Sequence, residues 1–153
     1  MQRLLEQLSQ RFPAVTFTAG SQFCWSPESG EVIYNAKSRG KQARWSLLHE
    51  TGHALLGHRR FQADYELLQM EISAWEKARE LAVDFDVKLE ENHIQDCLDT
   101  YRDWLYRRSL CPSCATQSFQ TADYEHYRCH NCHAIWGVGN DRFARTYRKT
   151  RFV

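Results

Sequence analysis

Arg44-Trp45-Ser46-Leu47-Leu48-His49-Glu50-Thr51-Gly52-His53-Ala54-Leu55-Leu56-Gly57-His58 sets a His-Glu-x-x-His pattern among apolar residues at helical spacing. Residues four apart on an α-helix project from one face, so His49 and His53 can reach a single metal ion. Glu50 lies about 100° round the helical wheel from His49, beside that ion rather than on it. From there its carboxylate can take a proton from a water held by the metal, the role that His-Glu-x-x-His implies. The flanks predict a buried helix from about Ala43. Trp45 and Leu56 share the histidine face, and Leu48 and Leu55 widen its apolar surface. Gly57 is placed to end the helix as a left-handed residue.

Two histidines need a third ligand, and the next segment offers one. Residues from Tyr65 to about Leu89 contain no Gly or Pro, and Ala74, Trp75, Ala78, Leu81, Ala82, Phe85 and Leu89 recur at helical period. Stepping about 100° per residue sets Glu71 in the middle of this apolar stripe, with Glu76 and Glu80 on the wet side. A carboxylate aimed at a core is costly unless it is paired or bound to a metal. Glu71 is therefore either the third ligand or the partner of a buried arginine, and the waiting histidines favour the ligand. His58 is the rival. A regular helix turns it about 180° from His49, and it returns only if the chain breaks at Gly57.

A second metal pattern follows. Cys111-Pro112-Ser113-Cys114 and Cys129-His130-Asn131-Cys132 are two Cys-x-x-Cys pairs separated by fourteen residues, the spacing of a four-thiolate zinc ribbon. Two disulfides are the alternative, and the lack of an export signal disfavours them. His130 and His133 stand nearby as spare ligands. Cys24 and Cys97 stand alone and read as small buried apolar residues.

The remaining chain completes an α+β plan. Residues 2–11 predict a short amphipathic helix stopped near Pro13. Val15/Phe17, Phe23/Trp25 and Val32/Tyr34 predict three short strands. The Ser26–Gly30 turn joins Gln22–Trp25 to Glu31–Asn35 in a hairpin of a small antiparallel-type sheet. Asn92-x-x-Gln95 reads as a capping box opening a third helix, with Ile94, Cys97, Leu98, Tyr101 and Leu105 on one face, that runs to about Arg108. The predicted organisation is a metal-binding domain over 1–108, a zinc ribbon over 109–140 and a basic tail over 141–153.

Composition agrees with a folded, non-membrane chain: 42% of its 153 residues are hydrophobic and 25% charged, with a net charge of +1. Charge is uneven. Residues 1–60 carry eight basic and four acidic side chains, 61–100 three and eleven, and 101–153 nine and four. No signal-peptide run opens the sequence, because Glu6 and Gln7 interrupt it, so the expected compartment is the cytoplasm. Phe119, Tyr124, Tyr127 and Trp136 in the ribbon, with Arg142, Arg145, Arg148, Lys149 and Arg151 in the tail, offer stacking surfaces and a basic stripe if the tail is helical. Nucleic acid is one partner this chemistry could take. The alternatives are that the aromatics form the ribbon's own core, that the region docks on a protein, or that the tail docks on the acidic middle segment of the same chain.

The stretch from Arg44 to His58, followed by Met70-Glu71-Ile72-Ser73-Ala74-Trp75-Glu76-Lys77-Ala78, resembles the ImmA/IrrE family of metallopeptidases over roughly residues 14–90. That resemblance implies a miniature gluzincin (zincin-like) fold, with zinc on His49, His53 and Glu71 and Glu50 as general base. The family often has a second acidic residue where Ser73 stands and an apolar aromatic where Lys77 stands. Its members commonly cleave a helix-turn-helix repressor, a module absent from this sequence. The expected activity is thus that of a zinc endopeptidase with one catalytic and one structural zinc, acting on a protein or peptide. Tyr65, His58 and Arg59 are candidate oxyanion donors. A strand edge of the N-terminal sheet is expected to hold substrate extended. Two rivals stand beside this: a DNA-associated protease resembling the SprT type, which joins the same motif to a ribbon but uses a histidine as third ligand, and a non-catalytic ribbon adaptor. An intact Glu50 favours an enzyme.

Overall fold

In a computed structural model that describes residues 1–139 and the backbone of 148–151, the chain is a mixed α+β protein. Its elements, in order, are α1 (Gln2–Arg11), β1 (Thr16–Gly20), β2 (Cys24–Ser26), β3 (Glu31–Asn35), α2 (Lys41–Leu56), α3 (Asp64–Asp84), α4 (Glu91–Ser109), β4 (Phe119–Gln120), β5 (His126–Arg128), β6 (Ile135–Val138) and β7 (Arg148–Arg151). Among the described residues no helix is long and apolar enough to cross a membrane.

Two compact units emerge. One comprises residues 1–60 and 69–94, the other residues 61–68 with the described chain from Gln95 onward. The division expected at Arg108 is therefore not where compactness divides the chain. The start of α3 and most of α4 group with the ribbon.

In the first unit the sheet order is β1-β3-β2. The hairpin forms as expected, with Trp25 opposite Val32. β1, however, pairs parallel to β3, Phe17 opposite Val32, so the sheet is mixed rather than antiparallel. Residues 21–23, bent at Ser21 and Gln22, carry the chain from β1 to β2 on the other side of β3, a separation of about two strand spacings, or about 10 Å. Leu4 and Leu8 of α1, Val32 of β3, Trp45, Leu47 and Leu48 of α2, and Ala74, Trp75, Ala78, Leu81 and Ala82 of α3 are buried. The indole of Trp45 donates to the Lys88 carbonyl at 2.9 Å. Leu56, expected on the buried face, is 44% exposed, since it closes the helix at its solvent end.

Helix ends explain two departures. α3 stops at Asp84, five residues before the expected limit, because Asp86 adopts φ 52°. The Val87 amide then bonds to the Ala82 carbonyl at 2.8 Å and that of Asp86 to Val83 at 3.3 Å, the paired bonds of a Schellman cap. A non-glycine residue at that position leaves no mark in the sequence. α4 begins at Glu91, so Asn92 lies inside the helix and is not its N-cap. Its Ile94, Leu98 and Trp104 are buried.

In the second unit the sheet order is β4-β5-β6-β7. Arg148–Arg151 form a strand on β6, with Lys149 opposite Gly137, so this part of the tail is not the helical stripe the sequence allowed. Arg142 and Arg145 lie outside the described residues. Tyr127 stacks on Trp136 with ring centroids 5.6 Å apart, and these two side chains with Cys111 and Cys129 form the ribbon core.

A buried polar knot ties this unit together. Arg108 grips Asp64 through two bonds, Nε to Oδ2 at 2.5 Å and Nη2 to Oδ1 at 3.2 Å. Asp64 also accepts the Tyr127 hydroxyl at 2.6 Å. Arg108 further donates to the Gly139 carbonyl, and its own carbonyl accepts the Trp136 indole at 2.9 Å. Burial first, and then the Asp64 carboxylate, push the Tyr127 hydroxyl well above its ordinary value.

Candidate metal centre

α2 is built to present His49 and His53 inward. Both are 7% exposed, and their rings stand edge to face with centroids 4.6 Å apart. Their Nε2 atoms lie 3.2 Å from each other. From α3 the Glu71 carboxylate closes the triangle, Oε2 at 3.2 Å from His49 Nε2 and Oε1 at 3.5 Å from His53 Nε2. Burial alone would raise the Glu71 carboxyl, but hydrogen bonds and charge from His49 and His53 outweigh it and draw it down to about 2. No arginine or lysine pairs with Glu71 among the described residues; its partners are the two histidines. One donor atom from each of His49, His53 and Glu71 lies within 4.8 Å of the others, so the three could hold a metal ion.

Glu50 follows His49 in α2 and is not among the three groups that could share an ion. Its Oε2 accepts the backbone N–H of Trp25 at 2.7 Å. β2 is an edge strand, and that amide points away from β3 toward the motif helix. The Trp25 indole donates to the His58 carbonyl at 2.7 Å and so fixes the chain just after α2. The face of His49 packs on Trp75, stacked at 4.2 Å. Among the described residues, the buried His49 Nδ1 and Trp75 Nε1 have no hydrogen-bond partner.

The chain does break at Gly57, whose φ is 63°. The His58 amide bonds to the His53 carbonyl at 3.1 Å and the Gly57 amide to Ala54 at 3.1 Å, again a Schellman cap. His58 thereby folds back, but to the far side of His53. Its Nδ1 lies 2.8 Å from His53 Nδ1 and its Nε2 lies 3.3 Å from the Ser73 hydroxyl. It joins neither the ligand triangle nor the set of free donors. Burial, followed by the His53 charge, lowers its pKa. Of the other candidate oxyanion donors, Arg59 is exposed and Tyr65 is 53% exposed.

The four cysteines form a second group. Cys111, Cys114, Cys129 and Cys132 present sulfurs within 4.8 Å of one another and none is in a disulfide. The Sγ atoms of Cys111 and Cys132 are 3.5 Å apart, as are those of Cys114 and Cys129. The two knuckles repeat one backbone plan. Ala115 and His133 take φ 56° and 60°. Their amides return to the Cys111 and Cys129 carbonyls at 3.0 and 3.1 Å, and amides of Ser113 and Asn131 point at the Cys111 and Cys129 sulfurs at 3.4 Å. At Cys129 the Cys132 amide foremost, and that of Asn131 with it, lower the thiol's pKa. His130 and His133 are exposed and outside the group. Cys24 and Cys97 are half-buried rather than core residues. Of the ribbon aromatics singled out in the sequence, Tyr127 and Trp136 are core, whereas Phe119 and Tyr124 are 81% and 45% exposed.

No protein-family model, curated protein or solved structure matches the chain.

Proposed function

We propose that the chain is a zinc endopeptidase of the gluzincin type, similar to the ImmA/IrrE metallopeptidases, with a structural zinc in a C-terminal ribbon. The observation that carries this reading is the convergence of His49 Nε2, His53 Nε2 and the Glu71 carboxylate, at separations of 3.2 to 3.5 Å, with Glu50 next to His49 in the chain. Tetrahedral zinc with bonds of about 2.0–2.2 Å to N and O sets its ligands about 3.3–3.6 Å apart, so the triangle fits. Zinc–sulfur bonds of about 2.3 Å set sulfurs about 3.8 Å apart, and the 3.5 Å pairs of the ribbon lie close to that. His49, His53 and Glu71 would hold zinc with three protein ligands, the number found at catalytic sites, which keep a position open for water.

When bound, zinc supplies Lewis acidity, which activates water and polarises a carbonyl oxygen. The chain's own residues do the rest. Glu50 is the general base. With Oε2 held by the Trp25 amide, its Oε1 accepts the proton from water and passes it to the departing amine. Trp25 keeps that carboxylate aimed, and an extended peptide would pair on the open side of β2 through the Trp25 carbonyl, since the Trp25 amide is taken by Glu50. Glu71 as third ligand supports this reading over the SprT-type alternative, whose third ligand is a histidine.

The test is cleavage of a fluorogenic peptide library by full-length protein. Glu50→Gln keeps the ligands and is expected to retain zinc while losing cleavage by at least about 100-fold, the share of a general base. Equal cleavage by Glu50→Gln and wild type would remove the proposed base.

A further inference from the structure

His58 is unused by the proposed chemistry, yet it is the most directed side chain around the site. Its geometry defines a chain of hydrogen bonds whose polarity can be worked out from its far end. The Ser73 hydroxyl lies 3.0 and 3.1 Å from the carbonyl oxygens of Gln69 and Met70. Carbonyl oxygens only accept, so the Ser73 proton is directed to them. The serine oxygen is then left to accept from His58 Nε2, at 3.3 Å. With its proton on Nε2, a neutral His58 has a lone pair on Nδ1, and that nitrogen accepts from His53 Nδ1 at 2.8 Å. His53, protonated on Nδ1, has its lone pair on Nε2, the atom that faces His49 and Glu71.

We propose that Ser73 and His58 form a relay that fixes His53 in the tautomer whose Nε2 can bind metal, making both of them positioning residues. The relay rests on the assignment of His49, His53 and Glu71 as ligands. It also accounts for α3 as a single part with two tasks: the helix that brings Glu71 to the triangle brings Ser73 two residues later to the opposite side of His53. A histidine ligand whose other nitrogen lacks a defined partner is free to turn or change tautomer, and outer partners of this kind typically contribute about 10–100-fold in metal affinity.

Position 58 separates this role from folding. Its structural bonds use the backbone, the amide to His53 and the carbonyl from the Trp25 indole, and side-chain changes leave both in place. An asparagine there would keep a polar group near the place of the imidazole Nδ1, whereas a leucine would keep bulk and lose it. The experiment uses full-length protein with the ribbon filled by zinc and the histidine site titrated with Co2+. Weak d–d bands without thiolate charge transfer report the histidine site. His58→Leu is expected to weaken Co2+ binding about 10–100-fold, with His58→Asn recovering most of the loss and Ser73→Ala showing a smaller one. Nitrogen-15 NMR of the protein with that site empty should show His53 protonated on Nδ1 in wild type and a mixture in His58→Leu. Wild-type affinity in His58→Leu, or His53 protonated on Nε2 in wild type, would overturn the relay alone. Failure of wild-type protein to bind Co2+ outside the ribbon would overturn the ligand assignment and the relay with it.

Discussion

Gly52 faces the carbonyl oxygen of Ala74 so closely that a β-carbon at position 52 would stand 2.6 Å from that oxygen. A glycine inside a helix costs about 1 kcal/mol relative to alanine; here it lets the α3 backbone approach α2 closely and carry Glu71 to the histidines. The obstacle is backbone, which cannot rotate aside. Gly52→Ala is therefore expected to destabilise the first unit by about 1–3 kcal/mol despite its better helix propensity, and to lower metal occupancy of the histidine site. Thermal melts with metal analysis check this. A variant more stable than wild type would show that the helices can separate freely.

Metal removal should act unequally. A four-thiolate site contributes on the order of 10 kcal/mol to local folding, and the ribbon core otherwise rests on Tyr127, Trp136 and two of its own cysteines. Chelation is expected to unfold β4–β6 while α1, α2 and the β1–β3 sheet persist, a difference visible in amide exchange. Persistent protection of Tyr127 and Trp136 after complete metal removal would contradict it.

The Asp64–Arg108 pair predicts a larger effect than any surface ion pair in the described chain. Both side chains are 5% exposed, and breaking a buried pair from one side leaves the other charge unpaired at a cost of about 3–5 kcal/mol. Asp64→Ala should lower the stability of the second unit by that amount, measured by denaturant unfolding. For the same reason a chain ended at Arg108, which loses Tyr127 and Trp136 from this knot, is expected to expose α4 and aggregate. Wild-type stability in Asp64→Ala would assign the knot no energetic role.

Patterns carried by neighbouring residues are legible in the sequence. Helical spacing places His49 beside His53 and turns Glu71 inward among alanines, and the two Cys-x-x-Cys turns define their own cluster. What escapes depends on distant or backbone-encoded features. The parallel pairing of β1 with β3 requires a crossing that adjacent strands do not advertise. Asp64, Arg108 and Tyr127 are single letters far apart in the chain, with no periodicity to link them. A helical wheel extended through Gly57 misplaces His58. The left-handed residue reverses the chain there and sends the imidazole to the back of His53. That glycine is the available signal, and a polar partner for the second nitrogen of His53 is the question it answers.

Zinc per chain, counted by native mass spectrometry in full-length wild type and in Glu71→Ala, tells a ligand from a buried ion pair. Two ions are expected on wild type, one on His49, His53 and Glu71 and one on the four cysteines, and a single ion on Glu71→Ala. Two ions retained by Glu71→Ala would mean that Glu71 is no ligand and the buried triangle only a carboxylate paired with histidine.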